Sequence, residues 1–136
     1  MRKRSPASIV YLAVFAGAFL SVAALTIVGT TGIVSAPQGF PLLPFRIIGM
    51  VLLVLGFVAT GVLSGGIPPR GSDADELEWW RANSTRAVST WATAEGLAIL
   101  GGVFWLLTRD MIVYVCLVGG GLVLLLLNRP QRLMEG

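Results

Sequence analysis

The chain has 136 residues, of which 55% are hydrophobic and 12% are charged, and its formal net charge is +3. Soluble domains carry about 25% charged residues, so this composition favours a membrane protein over a soluble domain. The chain has no histidine and one cysteine, which excludes an intrachain disulfide, bis-histidine haem ligation and His-based acid–base catalysis. The basic residues form no dense run, so we predict no nucleic-acid partner. With no histidine and no constellation of ligating or phosphate-binding residues in the sequence, we also predict no metal and no cofactor.

The first apolar run covers residues 8–29 and follows Arg2, Lys3 and Arg4. As a helix it is roughly 33 Å long, which is enough to cross a bilayer. A signal peptide is the alternative, but its apolar core is only about 7–15 residues long. We therefore predict an uncleaved span, followed by a proline-rich external loop and a second span at 45–65.

The only strongly polar segment is the loop at 66–86. Its Ser72-Asp73-Ala74-Asp75 stretch has the pattern of a capping box and predicts a short helix that continues into a third span at 87–107. Three tryptophans in this region have the placement of an aromatic belt at the membrane interface. They are Trp79, Trp80 and Trp91.

The fourth span is predicted at 111–127, and the short turn before it makes spans three and four an antiparallel hairpin. Eight of the ten Lys and Arg residues lie at the termini and in the 66–86 loop, against two, Arg46 and Arg109, on the other side. The more basic side of a membrane protein faces the cytoplasm. The fold class is therefore all-α: one domain, 1–136, with four transmembrane helices in two antiparallel hairpins. Both termini are expected in the cytoplasm, and the chain is expected to be multi-pass in the plasma or inner membrane.

Glu95 is the one acidic residue well inside a predicted span, nine positions after Arg86. That separation is roughly 13 Å along a helix and places the carboxyl near the bilayer centre, where a charge costs about 2.5–3.5 kcal/mol on insertion scales. Such groups serve as proton or ion sites by default. The alternative is a hydrogen bond to another helix, with Thr60, Ser21 or Thr26 as the partner.

Small residues recur at helical spacing in the third span and near the end of the second. They are expected to let other helix backbones approach closely, mainly within the bundle, with oligomerisation as the alternative. The positions are Thr90, Ala94, Ala98 and Gly102 in span three, and Gly61 and Gly65 in span two.

The stretch 94–103 resembles the region around the ion-carrying glutamate of rotary ATPase proteolipid (c-type) subunits. By this resemblance Glu95 would bind a proton or Na⁺. Four short spans with one mid-membrane glutamate are also similar to the layout of small multidrug-resistance transporters, which act as dimers. Trp91 near Glu95 is consistent with a cation-binding pocket.

The leading expectation is a small accessory or assembly-type membrane protein without enzymatic chemistry of its own. Its partners would be the bilayer and a homo-oligomer or larger membrane complex. The alternative is a proton- or cation-coupled transporter or channel component that uses Glu95.

Overall fold

The computed structural model describes residues 4–35, 39 and 41–136, and this part of the chain is helical with no strand. The basic residues Arg2 and Lys3 and part of the proline-rich loop lie outside the described residues. Four long helices and a short one follow each other along the chain, which confirms the all-α class. They are α1 (Pro6–Thr30), α2 (Leu42–Gly65), α3 (Glu76–Thr108), α4 (Met111–Leu127) and α5 (Pro130–Glu135).

Three of these helices, α1, α2 and α3, are long and apolar enough to cross a membrane. The fourth, α4, is equally apolar but has only 17 residues, or roughly 26 Å. Large apolar side chains on α1 and α2 point away from the bundle, among them Leu20 and Val62 with 66% and 72% of their surface exposed. Exposed apolar surface of this extent is typical of helices that face lipid.

The helix α2 begins at Leu42, three residues before the predicted start of the span. Pro44 therefore lies in its first turn, where the sequence pattern indicates a loop. A proline is tolerated there because the first amide groups of a helix have no intrahelical acceptor. The N-cap of α2 is Pro41, and no side chain caps this helix end.

The polar segment and the third span form one continuous helix of 33 residues, as the sequence predicts, but its N-cap is Asp75 instead of Ser72. The Asp75 carboxylate accepts a hydrogen bond from Leu77 N at 3.3 Å. At the other end, Arg109 adopts a left-handed conformation with φ 52°, and Asp110 then caps α4 by accepting from Ile112 N at 3.2 Å.

The helix α3 occupies the middle of the bundle and packs against α1, α2 and α4. Gly17 and Gly102 mark its register with α1: Gly17 lies opposite Glu95, and Gly102 lies opposite Leu25, so the two helices run in the same direction. The helices α1 and α2 are joined by a loop but share no extensive interface, and each packs mainly on α3. Of the two predicted hairpins, only α3–α4 is a closely packed pair.

The small-residue row of α3 is buried inside the bundle. Gly121 of α4 comes so close that a Cβ there would lie 2.6 Å from Ala94 O and 2.7 Å from Ala98 N. Gly61 and Gly65 behave differently, since no atom of another helix lies within 4 Å of a Cβ built at either position. The four buried members of the row are Thr90, Ala94, Ala98 and Gly102.

Both ends of the described chain meet at one end of the bundle. The backbone amide of Arg70 donates to Met134 O at 2.7 Å, which ties the 66–75 loop to α5, and α5 also contacts α1. Trp79 is buried here and donates its indole N–H to Pro68 O at 2.8 Å. The helix ends that carry Arg46 and Asp110 lie at the opposite end.

Trp91 is fully buried, and its ring contacts other helices. Its indole donates to Asn128 O at 2.7 Å. The ring stacks on Trp80 at 6.0 Å and meets the edge of Tyr11 at 5.3 Å. Packing of α1 and α4 on this turn of α3 covers the ring of Trp91, and the placement of the three tryptophans at a membrane interface stays a prediction.

Candidate functional site

Glu95 lies at mid-height of the bundle, on the seam between α3 and α1. Its side chain is half-buried and faces Gly17, close to the midpoint of α1. A Cβ at Gly17 would lie 2.9 Å from Glu95 Oε1, so the absence of a side chain at this position makes room for the carboxyl. The helix pairing thus keeps one acidic group at mid-height of the bundle, and its depth in a bilayer stays a prediction.

The hydroxyls proposed from the sequence as partners of Glu95 are engaged elsewhere. Thr60 donates to Gly56 O at 2.9 Å, and Thr26 donates to Val22 O at 2.7 Å and shares a hydrogen bond with the Tyr114 hydroxyl. Ser21 lies one turn after Gly17 on α1 but does not bond to Glu95 either. Among the described residues, no hydrogen bond or ion pair reaches the Glu95 carboxyl.

The face of α3 beside Glu95 is open. Ala92 is exposed, and a Cβ built at Gly96 would have no neighbour within 4 Å. Ala92 and Gly96 form a small-xxx-small pair that the sequence pattern did not single out. Hydropathy alone does not tell this exposed pair from the buried row of small residues on the neighbouring face of α3. Gly96 borders a shallow groove of about 300 Å³ between α3 and α2, together with Gly56 and Thr93.

A second polar contact lies at the end of the bundle where α2 begins. Arg46 Nε donates to Asp110 Oδ2 at 2.7 Å, and its Nη2 donates to Oδ1 at 3.3 Å. The Arg46 guanidinium holds the pKa of the Asp110 carboxyl below its usual range, against the opposing effect of desolvation. The sequence places both residues at this end but does not indicate that they pair.

In the part of the chain that the structure describes, the residues that could bind a metal or act as a reactive thiol are few and scattered. No group of three or more His, Cys, Asp or Glu side chains is placed to hold a metal ion there. Cys116 is a free, half-buried thiol within α4. A lone carboxyl such as Glu95 can exchange a proton, bind a small cation or accept a hydrogen bond from another helix.

Comparison of the chain with protein-family models, with curated proteins and with solved structures found no match in any of the three.

Proposed function

We propose that this chain is a four-span integral membrane protein of the accessory or assembly type, without enzymatic chemistry of its own. In this proposal the α1–α3 seam around Glu95 contacts another membrane component, either a second copy or a different subunit. The observation that carries the proposal is the Glu95 carboxyl, which lies at mid-height with no partner among the described residues. A polar group in hydrocarbon is stabilised by a donor on a neighbouring helix.

The open surface next to Glu95 supports the same proposal. Ala92 and Gly96 leave the α3 backbone accessible beside the carboxyl, and small residues allow the close helix approach that interhelical hydrogen bonds need. We further propose that both termini lie in the cytoplasm of a multi-pass cell-membrane protein, because eight of the ten Lys and Arg residues belong to that side.

The second candidate is a proton- or cation-coupled transporter or channel component. Its support is that Glu95 is only half-buried and that its carboxyl has no hydrogen-bond or ion-pair partner among the described residues. The resemblance of 94–103 to the proteolipid subunits favours the same role. Both candidates depend on Glu95, but they need different properties of it: a hydrogen-bond acceptor for assembly, and an ionisable group for coupling.

Two substitutions of Glu95 separate these roles. If the group is an assembly contact, Glu95→Gln keeps the complex seen on native gels of mild-detergent extracts, because the amide still hydrogen-bonds, whereas Glu95→Leu loses it. If the group is ionisable machinery, Glu95→Gln abolishes pH-dependent flux in proteoliposomes while the protein stays folded. Glu78→Gln, which removes an exposed carboxylate from the polar turns of α3, is the matched control.

A wild-type chain that migrates as a monomer in such extracts contradicts the assembly role. Normal flux by the Glu95→Gln variant, or no flux by the wild type, contradicts the coupling role.

A further inference from the structure

A polar cavity of about 540 Å³ lies where α1 begins and α5 ends. Four separate parts of the chain form it: the start of α1, the loop after α2, the first turn of α3, and α5. The hydrogen bond from Arg70 N to Met134 O, at 2.7 Å, joins two of its walls. The cavity is distinct from the Glu95 seam and lies at the end of the bundle, where the helices leave the apolar zone.

One side of this cavity suits a phosphate group. Arg4 and Arg70 both line it, beside Ser5 and Ser8 at the start of α1, whose hydroxyls bond to each other at 2.9 Å while Ser5 Oγ accepts from Ser8 N at 3.2 Å. Within the described residues Arg4 has no ion pair, and Arg70 has only a loose one, with its Nη1 4.0 Å from Glu76 Oε2. Guanidinium groups are common phosphate-binding elements of proteins, so the two arginines are the phosphate-binding side of the cavity.

Glu76 and Glu135 line the same cavity, and both residues carry a carboxylate. A free inorganic anion would be repelled by them, so two guanidiniums and two carboxylates together match a ligand that carries both signs of charge. Carboxylates accept hydrogen bonds, so they distinguish a primary ammonium, which has three N–H donors, from a quaternary ammonium, which has none.

The surroundings indicate where such a ligand comes from. Ile9 and Leu12 lie one turn after Ser5 and Ser8 on α1, and 56% and 44% of their surface is exposed. A lipid whose headgroup occupied the cavity would have its acyl chains beside this apolar stripe. A soluble ligand with the same headgroup would leave the stripe uncovered.

From these contacts we infer that the cavity binds a phosphate–ammonium zwitterion, the headgroup of an ethanolamine phospholipid. The inference rests on the membrane placement proposed above and is independent of the role of Glu95. Arg4 and Arg70 hold the phosphate, Glu76 and Glu135 hold the ammonium, and α1 guides the acyl chains.

The test is native mass spectrometry of the full chain in a non-ionic detergent. Phosphatidylethanolamine, phosphatidylcholine and phosphatidylglycerol are added in turn, and the soluble glycerophosphoethanolamine is added separately. We expect phosphatidylethanolamine to bind about tenfold more tightly than either other lipid. Phosphatidylcholine has no N–H group to donate to the carboxylates, and phosphatidylglycerol has no ammonium group. Equal binding of phosphatidylcholine, or tighter binding of phosphatidylglycerol, overturns the inference.

Substitutions in the cavity locate the binding. Arg4→Gln and Glu135→Gln should each weaken phosphatidylethanolamine binding severalfold, while the charge-matched controls Arg81→Gln and Glu78→Gln, which do not line the cavity, leave it unchanged. Equal effects in variants and controls overturn the assignment of the site. Binding of glycerophosphoethanolamine as tight as that of the lipid overturns the lipid source and retains the zwitterion chemistry.

Failure of the membrane placement is distinguishable from failure of this inference. Recovery of the chain in the soluble fraction of the producing cell contradicts both. Recovery in the membrane fraction without a headgroup preference contradicts only the inference. The Glu95→Gln variant should bind phosphatidylethanolamine as the wild type does.

Discussion

At the scale of single residues, the contact between Arg46 and Asp110 joins elements that are far apart in sequence. Asp110 accepts from the Arg46 guanidinium and from Ile112 N, so one carboxylate links α2 to the turn between α3 and α4 and also caps α4. Its side chain is 5% exposed, whereas that of Arg46 is 42% exposed. Asp110 therefore combines a capping role with an ion pair at the edge of the bundle.

The Asp110→Asn substitution should lower the unfolding temperature at neutral pH by a few degrees. The pKa of Asp110 is depressed in the folded chain, chiefly by the hydrogen bond from Arg46. A carboxyl whose pKa is lower in the folded than in the unfolded chain stabilises the fold at any pH above its unfolded-state pKa, about 3.9. This stabilisation is lost as the pH falls through the folded-state pKa. The gap between wild type and variant, measured by thermal unfolding in detergent, should therefore close on acidification.

Asp73→Asn is the control for this measurement, because Asp73 is exposed in the loop before α3. It should leave the unfolding temperature nearly unchanged at both pH values. A gap between wild type and Asp110→Asn that persists in acid would show that the carboxylate charge is not the source of the stabilisation.

The position of Glu95 at mid-height of α3 could be predicted from the sequence, because it follows from counting residues after the basic end of the span. The lack of a hydrogen-bond partner for its carboxyl could not be predicted. It arises because Thr26 and Thr60 donate instead to backbone carbonyls of their own helices. The Arg46–Asp110 ion pair could not be predicted from the sequence either. Its partners are 64 positions apart, and no periodic pattern links them.

At the scale of helices, the pair α3 and α4 is the closest contact in the bundle. Gly121 places the α4 backbone directly against the backbone of Ala94 and Ala98. Gly119, two positions earlier on the same helix, has no such neighbour within 4 Å. The three consecutive glycines of α4 are therefore not equivalent.

Gly121→Ala should lower the free energy of unfolding by about 1–3 kcal/mol, the usual cost of overpacking, because its Cβ meets backbone atoms that can move only if the helices separate. Gly119→Ala is the matched control and should leave stability unchanged or raise it by up to about 1 kcal/mol, since alanine favours a helix over glycine. Denaturant titration followed by circular dichroism measures both. Equal stability of the two variants would contradict the observed α3–α4 contact.

Helix positions follow closely from the apolar runs. The bounds of α4 agree with the predicted fourth span, and those of α1 differ from the first by no more than two residues. The start of α2 differs from the predicted start of the second span by three residues, because the sequence pattern places Pro44 in a loop. In the structure Pro44 lies in the first turn of the helix, where its missing N–H costs little. Helix ends near prolines are where the sequence pattern is least informative.

At the scale of the whole molecule, the helices alternate in direction but do not pack in chain order. The helix α1 runs alongside α3, while α2 packs on the opposite part of α3 and on α4. Hydropathy does not predict this arrangement, since α1 and α2 are apolar on all sides and no stripe marks the inward face. The contacts that decide it are local fits, such as Gly49 against Val113 and Phe104.

The proposed four-span topology predicts opposite sidedness for the two ends of the bundle. In a Cys116→Ala background, Thr31→Cys should react with a membrane-impermeant maleimide from outside intact cells, and Ala74→Cys should react only after permeabilisation. Both positions are exposed in the structure. Labelling of both from the same side would contradict the topology.

The unbroken length of α3 has a mechanical consequence. Glu76 and Glu95 belong to one helix with no proline and no interruption between them, and they are about 29 Å apart along its axis. An uninterrupted helix transmits a tilt along its whole length. A tilt of about 5° at Glu95 displaces the Glu76 end by about 2.5 Å over this length. We therefore expect a partner that tilts α3 at the seam to displace the Glu76 wall of the polar cavity, whereas Glu95→Gln, which tilts nothing, leaves that wall in place.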